Sequence, residues 1–357
     1  MSFWDTIKNL THDAATHNLY ARIPKERSDV AFDDRPLLAE KAYFRVWLKE
    51  MFLADSLKWF KTWYPAVSCS VRVPQGGGLT PTFTRVTGTD TTKLGPGVLK
   101  GYATTDLLPF RGGVVEIEAS LLALQGQNYL ISAIKILKSM SELVGGPIAQ
   151  AITMADKVST GLEDLFKATG GELHLGFHDS FTSGGPATSG ALRAGYHVVI
   201  RGTAKEIDVS RLTVRSDQLY YAVTPGAAPQ PLVGHDYMLF FIEARVDRDD
   251  WRRLTAIEEP LDQAIKALIE GDDEKAASFT KVALWNAMSS PELAVHDRRR
   301  VAMAIKAELA QLASDDGTHG STPDEEVNLA TMMARSAPSV EDAMALGKLT
   351  PEELFAS

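Results

Sequence analysis

Residues 113–124 read GVVEIEASLLAL, and the alternation within them decides the fold class. Val115, Ile117, Ala119 and Leu121 point one way; Val114, Glu116, Glu118 and Ser120 point the other. A period of two belongs to a β-strand, and one apolar face against one wetter face belongs to an antiparallel sheet.

Moving towards the N-terminus, the texture stays β. TFTRVTG (82–88) and GVLKGYAT (97–104) sit between glycine-rich breaks, and VSCSVRV (67–73) alternates with Val67, Cys69, Val71 and Val73 on one face. KAYFRVWLKEMFLA (41–54) has apolar residues on every face, so it reads as a buried strand, favoured by its aromatics and Val46. Residues 24–35 are polar and suit a loop. Residues 2–19 read as a short amphipathic helix with Trp4, Ile7 and Leu10 on one side.

Towards the C-terminus two helices interrupt the strands. Leu130, Ala133, Ile134, Leu137, Met140 and Val144 recur at helical spacing, as do Ile148, Ile152, Ala155, Leu162, Leu165 and Phe166. Gly145-Gly146-Pro147 ends one helix and starts the next, and Gly170-Gly171 closes the pair. Strands then resume in ELHLGFHDSF (172–181), ALRAGYHVVIRG (191–202), RLTVRS (211–216), QLYYAV (218–223) and DYMLFFIEARV (236–246). The expected fold is therefore α+β: a mostly antiparallel β body with an αα-hairpin inserted at about 127–168, followed by a helical C-terminal region. Trp251, Leu254, Ile257, Leu261, Ile265 and Leu268 share a face in the first of those later helices.

This divides the chain into an N-terminal helix and arm (1–35), a β-rich body (36–247), a helical subdomain (248–313), a flexible linker (314–324) and an acidic short-helix tail (325–357). Residues 1–313 are expected to act as one cooperative unit, with the strands on both sides of the hairpin in one sheet. Trp59 and Trp63 are expected to be buried.

The bulk numbers narrow the function. Of 357 residues, 45% are hydrophobic and 23% charged, as in ordinary globular domains. The single cysteine, Cys69, precludes an intrachain disulfide and fits a reducing compartment. MSFWDTIKNLTHDAATH has no basic segment leading into an apolar core, and the apolar run 129–137 contains Lys135. A cytoplasmic protein without a membrane association is expected. Of the net charge of −9, residues 314–357 carry −7 (nine acids, two bases), leaving −2 for the rest. Neither part has the basic excess that a phosphate backbone demands, so nucleic acid is not an expected partner.

Few patterns carry chemistry. His174 and His178 flank Gly176, with Asp179 next; positions four apart on a regular strand share a face, and His197 is the histidine nearest by sequence. Cys69 could be a nucleophile only beside a histidine, and its place in the apolar alternation suits a small buried residue. Glu116 and Glu118 form a same-face carboxylate pair of the kind acid–base hydrolysis uses, but acids on a wetter strand face need no such role. Asp247, Asp249 and Asp250 look like a helix N-cap region. Arg252, Arg253, Arg298, Arg299 and Arg300 make a solvated helix face, or a surface for the acidic tail or an acidic partner.

PQGGGLTP and GTDTTKLGPG lack the spacing of a phosphate loop, and no nucleophile elbow, zinc-protease or dinucleotide motif occurs. No catalytic residue, cofactor or metal is assigned. The expectation is a non-enzymatic interaction or regulatory protein that engages another protein through 325–357. The alternative is an enzyme or small-molecule binder whose site is built from strand ends and the loops near 75–80, 180–190 and 224–234.

Overall fold

A computed structural model describes residues 18–315 apart from 55–56, 59–60, 75–79, 89–96, 126–129, 143–147 and 184–189. The helix expected at 2–19, Trp59, parts of the loops at 75–80 and 180–190, and the tail 325–357 with nearly all of the region before it lie outside or mostly outside those residues. The chain divides into two compact units after Asp247.

In chain order the first unit holds β1 (Asn18–Ile23), β2 (Tyr43–Leu53), β3 (Leu57–Lys58), β4 (Lys61–Arg72), β5 (Thr82–Gly88), β6 (Gly97–Ala103), β7 (Leu108–Pro109) and β8 (Val114–Gln125). Helices α1 (Leu130–Glu142) and α2 (Ile148–Thr169) follow. Then come β9 (Glu172–Thr182), β10 (Gly195–Arg201), β11 (Leu212–Arg215), β12 (Gln218–Tyr221), β13 (Gln230–Pro231) and β14 (Tyr237–Arg245). The α+β class and the inserted hairpin are as the periodicity indicates.

The strands form three sheets rather than one. A six-stranded sheet runs β1-β10-β14-β2-β6 with β7 also on β2; a five-stranded sheet runs β3-β4-β8-β9 with β5 on β4; β11-β12-β13 form the third. Every pairing between these strands is antiparallel. The five- and six-stranded sheets pack face to face. Val67, Cys69, Val71, Val115, Ile117, Ala119 and Leu121 of one meet Phe44, Val46, Leu48, Val199, Met238, Phe240 and Ile242 of the other. Each such side chain contributes roughly 1.5–3 kcal/mol by leaving water.

Both outer faces are covered in turn. Ala66, Val86, Leu122 and Leu124 lie under Leu137, Val158, Leu162 and Leu165 of the helical hairpin. Tyr196, Val198, Ile200, Tyr237 and Leu239 lie under Leu212, Val214 and Leu219 of the small sheet. Four layers result. β2 and β14 are thus covered on both faces over much of their length, which explains why 41–54 shows no alternation.

Two local features depart from the expected boundaries. Asn18 and Leu19 belong to strand β1, not to a helix, and pair with Arg201 and Ile200. β4 begins at Lys61, before VSCSVRV, and carries Pro65 inside it. Among the described residues, pairing with β5 runs from Ala66 onwards, and Pro65 itself pairs with Ala123 of β8.

The second unit holds α3 (Thr255–Ile269), α4 (Asp273–Ser289) and α5 (Val295–Asp315). Leu254, Ile257, Leu261 and Ala264 pack with Ala283, Leu284 and Ala287 of α4 and with Val301, Ile305 and Leu309 of α5. Among the described residues no helix is long and apolar enough to cross a membrane.

Candidate functional site

The two main sheets meet along one side, where edge strand β9 faces β1 and β10. Side chains that share the inner face are set by register. Ile117 opposite Asp179 and Ala119 opposite Phe177 place Asp179 and Phe177 inside. On the facing sheet Arg22 sits opposite His197 and Tyr20 opposite Val199, which places Tyr20, Arg22 and His197 inside as well. Polar side chains from three strands therefore converge at one edge of an otherwise apolar interior.

The Tyr20 hydroxyl lies 2.6 Å from His197 Nδ1, with the Asp179 carboxylate on the same inner face. Burial, then the charge and hydrogen bond of Asp179, push the Tyr20 phenol far above its ordinary range. His197 is 4% exposed. Burial, with the Arg22 guanidinium beside it, lowers its pKa to about 3, so the imidazole is neutral near pH 7. Arg22 donates from one terminal nitrogen to the Ala194 carbonyl at 3.2 Å.

Two polar atoms of this cluster are buried without a hydrogen-bond partner among the described residues: His197 Nε2 and Arg22 Nε. Aromatic rings wall the cluster. Phe181 meets the imidazole edge-on at 5.5 Å, and Phe177 stacks on Tyr20 at 5.5 Å. Gly195 has φ +144°, and a Cβ there would come within 3.2 Å of Phe32 and 3.4 Å of the Arg22 guanidinium. A glycine at that point leaves the guanidinium its room.

The residues singled out from sequence are scattered by this geometry. His174 and His178 do not share a site, because the β8–β9 register shifts between Leu121 and Leu122 and breaks the alternation at His174. His178 faces outwards, 3.2 Å from Glu118, while His174 Nδ1 lies 2.9 Å from Asp236 Oδ2. Burial opposes the charge on Asp236, yet the His174 hydrogen bond, the Ala54 N–H and Arg201 together hold its carboxyl below the usual range. Asp179 instead turns inwards, on the face that carries Tyr20 and His197.

Cys69 is buried in the interior, and burial pushes its thiol up to about 12, which leaves no thiolate for nucleophilic attack. Glu116 pairs with Arg72 at 2.8 Å, and Glu118 lies 3.2 Å from His178.

In the helical unit several of the acids and arginines are used internally. Asp250 precedes the short turn Trp251–Arg253 but makes no side-chain cap bond; it sits 3.2 Å from Arg248 instead. Arg252 pairs with Glu308. Arg298 donates to the Ser290 carbonyl at 2.9 Å and Arg300 to the Arg248 carbonyl at 2.9 Å, so these two brace their own unit.

Tyr20 and Arg22 were not singled out from sequence. NLYARI does alternate, with Leu19, Ala21 and Ile23 apart from Tyr20 and Arg22, and that period is the signal that was present. Compared with known proteins, the chain matches no family model, no curated protein and no solved structure.

Proposed function

We propose that this protein binds a small molecule at the sandwich edge formed by Tyr20, Arg22, Asp179 and His197. One observation carries the reading: two buried nitrogens, His197 Nε2 and Arg22 Nε, stand on cross-strand partners with nothing in the described protein to satisfy them. Leaving either group unpaired costs about 1–3 kcal/mol, so a bound group that pairs with both is favoured by that amount. The protonation states favour binding over catalysis. An imidazole with a pKa near 3 and a phenol far above its usual range are poor proton shuttles near pH 7. The reading of the chain as a protein-docking regulator rests on 325–357, outside the described residues, and no geometry favours it.

The test is the small-molecule complement of the purified chain. Wild type and His197→Phe, made in the same cells, are denatured and the released compounds identified by mass spectrometry. A near-stoichiometric compound with wild type that is missing from the variant is expected. The same complement from both, or none from either, overturns the proposal.

A further inference from the structure

His174 sits at the break in the β8–β9 ladder. Leu175 pairs with Leu121 and Leu173 with Leu122, so His174 has no partner on β8. A bulge of this kind re-aims a side chain, and here it turns the imidazole towards the other main sheet. Nδ1 lies 2.9 Å from Asp236 Oδ2, and the two side chains are only 10% and 9% exposed. Asp236 is a fixed anchor. Its other oxygen accepts the Ala54 N–H, just past β2, at 2.8 Å, and its carbonyl accepts the Arg201 N–H, at the end of β10, at 2.8 Å. Both bonds fasten it to the six-stranded sheet.

β9 is held far less firmly. It ends the five-stranded sheet and pairs with β8 alone. On its far edge, among the described residues, backbone-to-backbone bonds occur at Thr182, which donates to Gly190 at 2.8 Å and accepts from Leu192 at 3.1 Å. A strand with one neighbour opens at lower free energy than the strands inside its sheet. Beyond the bulge β9 meets the six-stranded sheet through rings, Phe177 on Tyr20 and Phe240, and Phe181 on His197. We infer that β9 is the movable wall of the sandwich edge, pinned at Thr182, and that the His174–Asp236 bond is the latch holding its other end to the six-stranded sheet. When the latch opens, residues 173–181 come away from β8 and uncover Tyr20 and His197. This movement is independent of whether a small molecule binds at the edge.

Native-state hydrogen exchange on the full chain, read amide by amide, tests the latch. In wild type the β9 amides bonded to β8 are expected to be less protected than the amides joining β4 and β8; equal protection overturns the inference. His174→Ala removes the partner of Asp236 and is expected to speed the β9 amides at least about tenfold. The β4–β8 amides should change only by the factor that urea denaturation assigns to global unfolding. His174→Asn returns an amide that can donate to Asp236, and is expected to bring β9 back to within about threefold of wild type. Uniform acceleration in His174→Ala, unchanged β9 rates, or an asparagine variant that behaves like the alanine one each overturn the latch. So does an alanine variant that fails to fold, because the bond would then hold the whole unit together and not one strand.

Discussion

Removing the Tyr20 hydroxyl isolates what the relay contributes. Tyr20→Phe keeps the ring on Phe177 but leaves His197 Nδ1 without its partner. His197 is 4% exposed, so water replaces that partner poorly, whereas Tyr20 is 45% exposed and its end of the pair lies nearer solvent. Between those limits the loss is about 2 kcal/mol, within the range for stranding one buried partner. For a unit of 150–250 residues, that lowers Tm by about 4–8 °C.

His197→Phe removes the group that Tyr20→Phe would strand. In that background the Tyr20 hydroxyl keeps solvent, so its removal should cost less than about 0.5 kcal/mol. The double-mutant cycle, read by urea denaturation with matched slopes, should therefore show a coupling of about 1.5 kcal/mol. Additive losses would refute the reasoning, because the 2.6 Å contact would then carry no energy.

Three further outcomes follow from other parts of the molecule. The unfolded imidazole of His197 takes a proton near pH 6.5 and the folded one only near pH 3. Stability should thus fall as pH drops between those values, by at most about 1.4 kcal/mol per pH unit from this group, and urea midpoints of His197→Phe should fall less steeply there. Ser216 and Asp217 both have positive φ in the two-residue turn joining β11 and β12. Ser216→Gly should stabilise by about 1 kcal/mol by removing strain, whereas Asp217→Gly should destabilise in thermal melts. The reason is that Asp217 accepts from the buried Tyr196 hydroxyl and from Lys49 at 2.9 Å. Trp63 is 8% exposed within the main core, and Trp63→Ala should cost about 3–5 kcal/mol by urea denaturation, with unchanged stability counting against its burial.

What could be read from the residues, and what could not, follows the range of the interactions. Alternation in 113–124 and helical spacing in 130–166 are local, and the structure has a strand and two helices there. Division into three sheets is not local: β1 pairs with β10 and β2 with β14, partners well over a hundred residues apart, and no period within a segment announces its partner. The candidate site suffers twice from this. Its tyrosine and histidine are 177 residues apart, so Tyr20 looks like any residue of a short amphipathic stretch until β10 lies beside it. The histidine pair at 174 and 178 fails for a subtler reason. Four residues mean the same face only while the alternation is unbroken, and one extra residue at the β8–β9 bulge turns the chain by half a period. Beyond the bulge, the parity that sends His178 out to Glu118 is the same parity that sends Asp179 in to Tyr20. One irregularity therefore dismantles the apparent two-histidine site, and the regular part of the same strand supplies the carboxylate for the cluster at the edge.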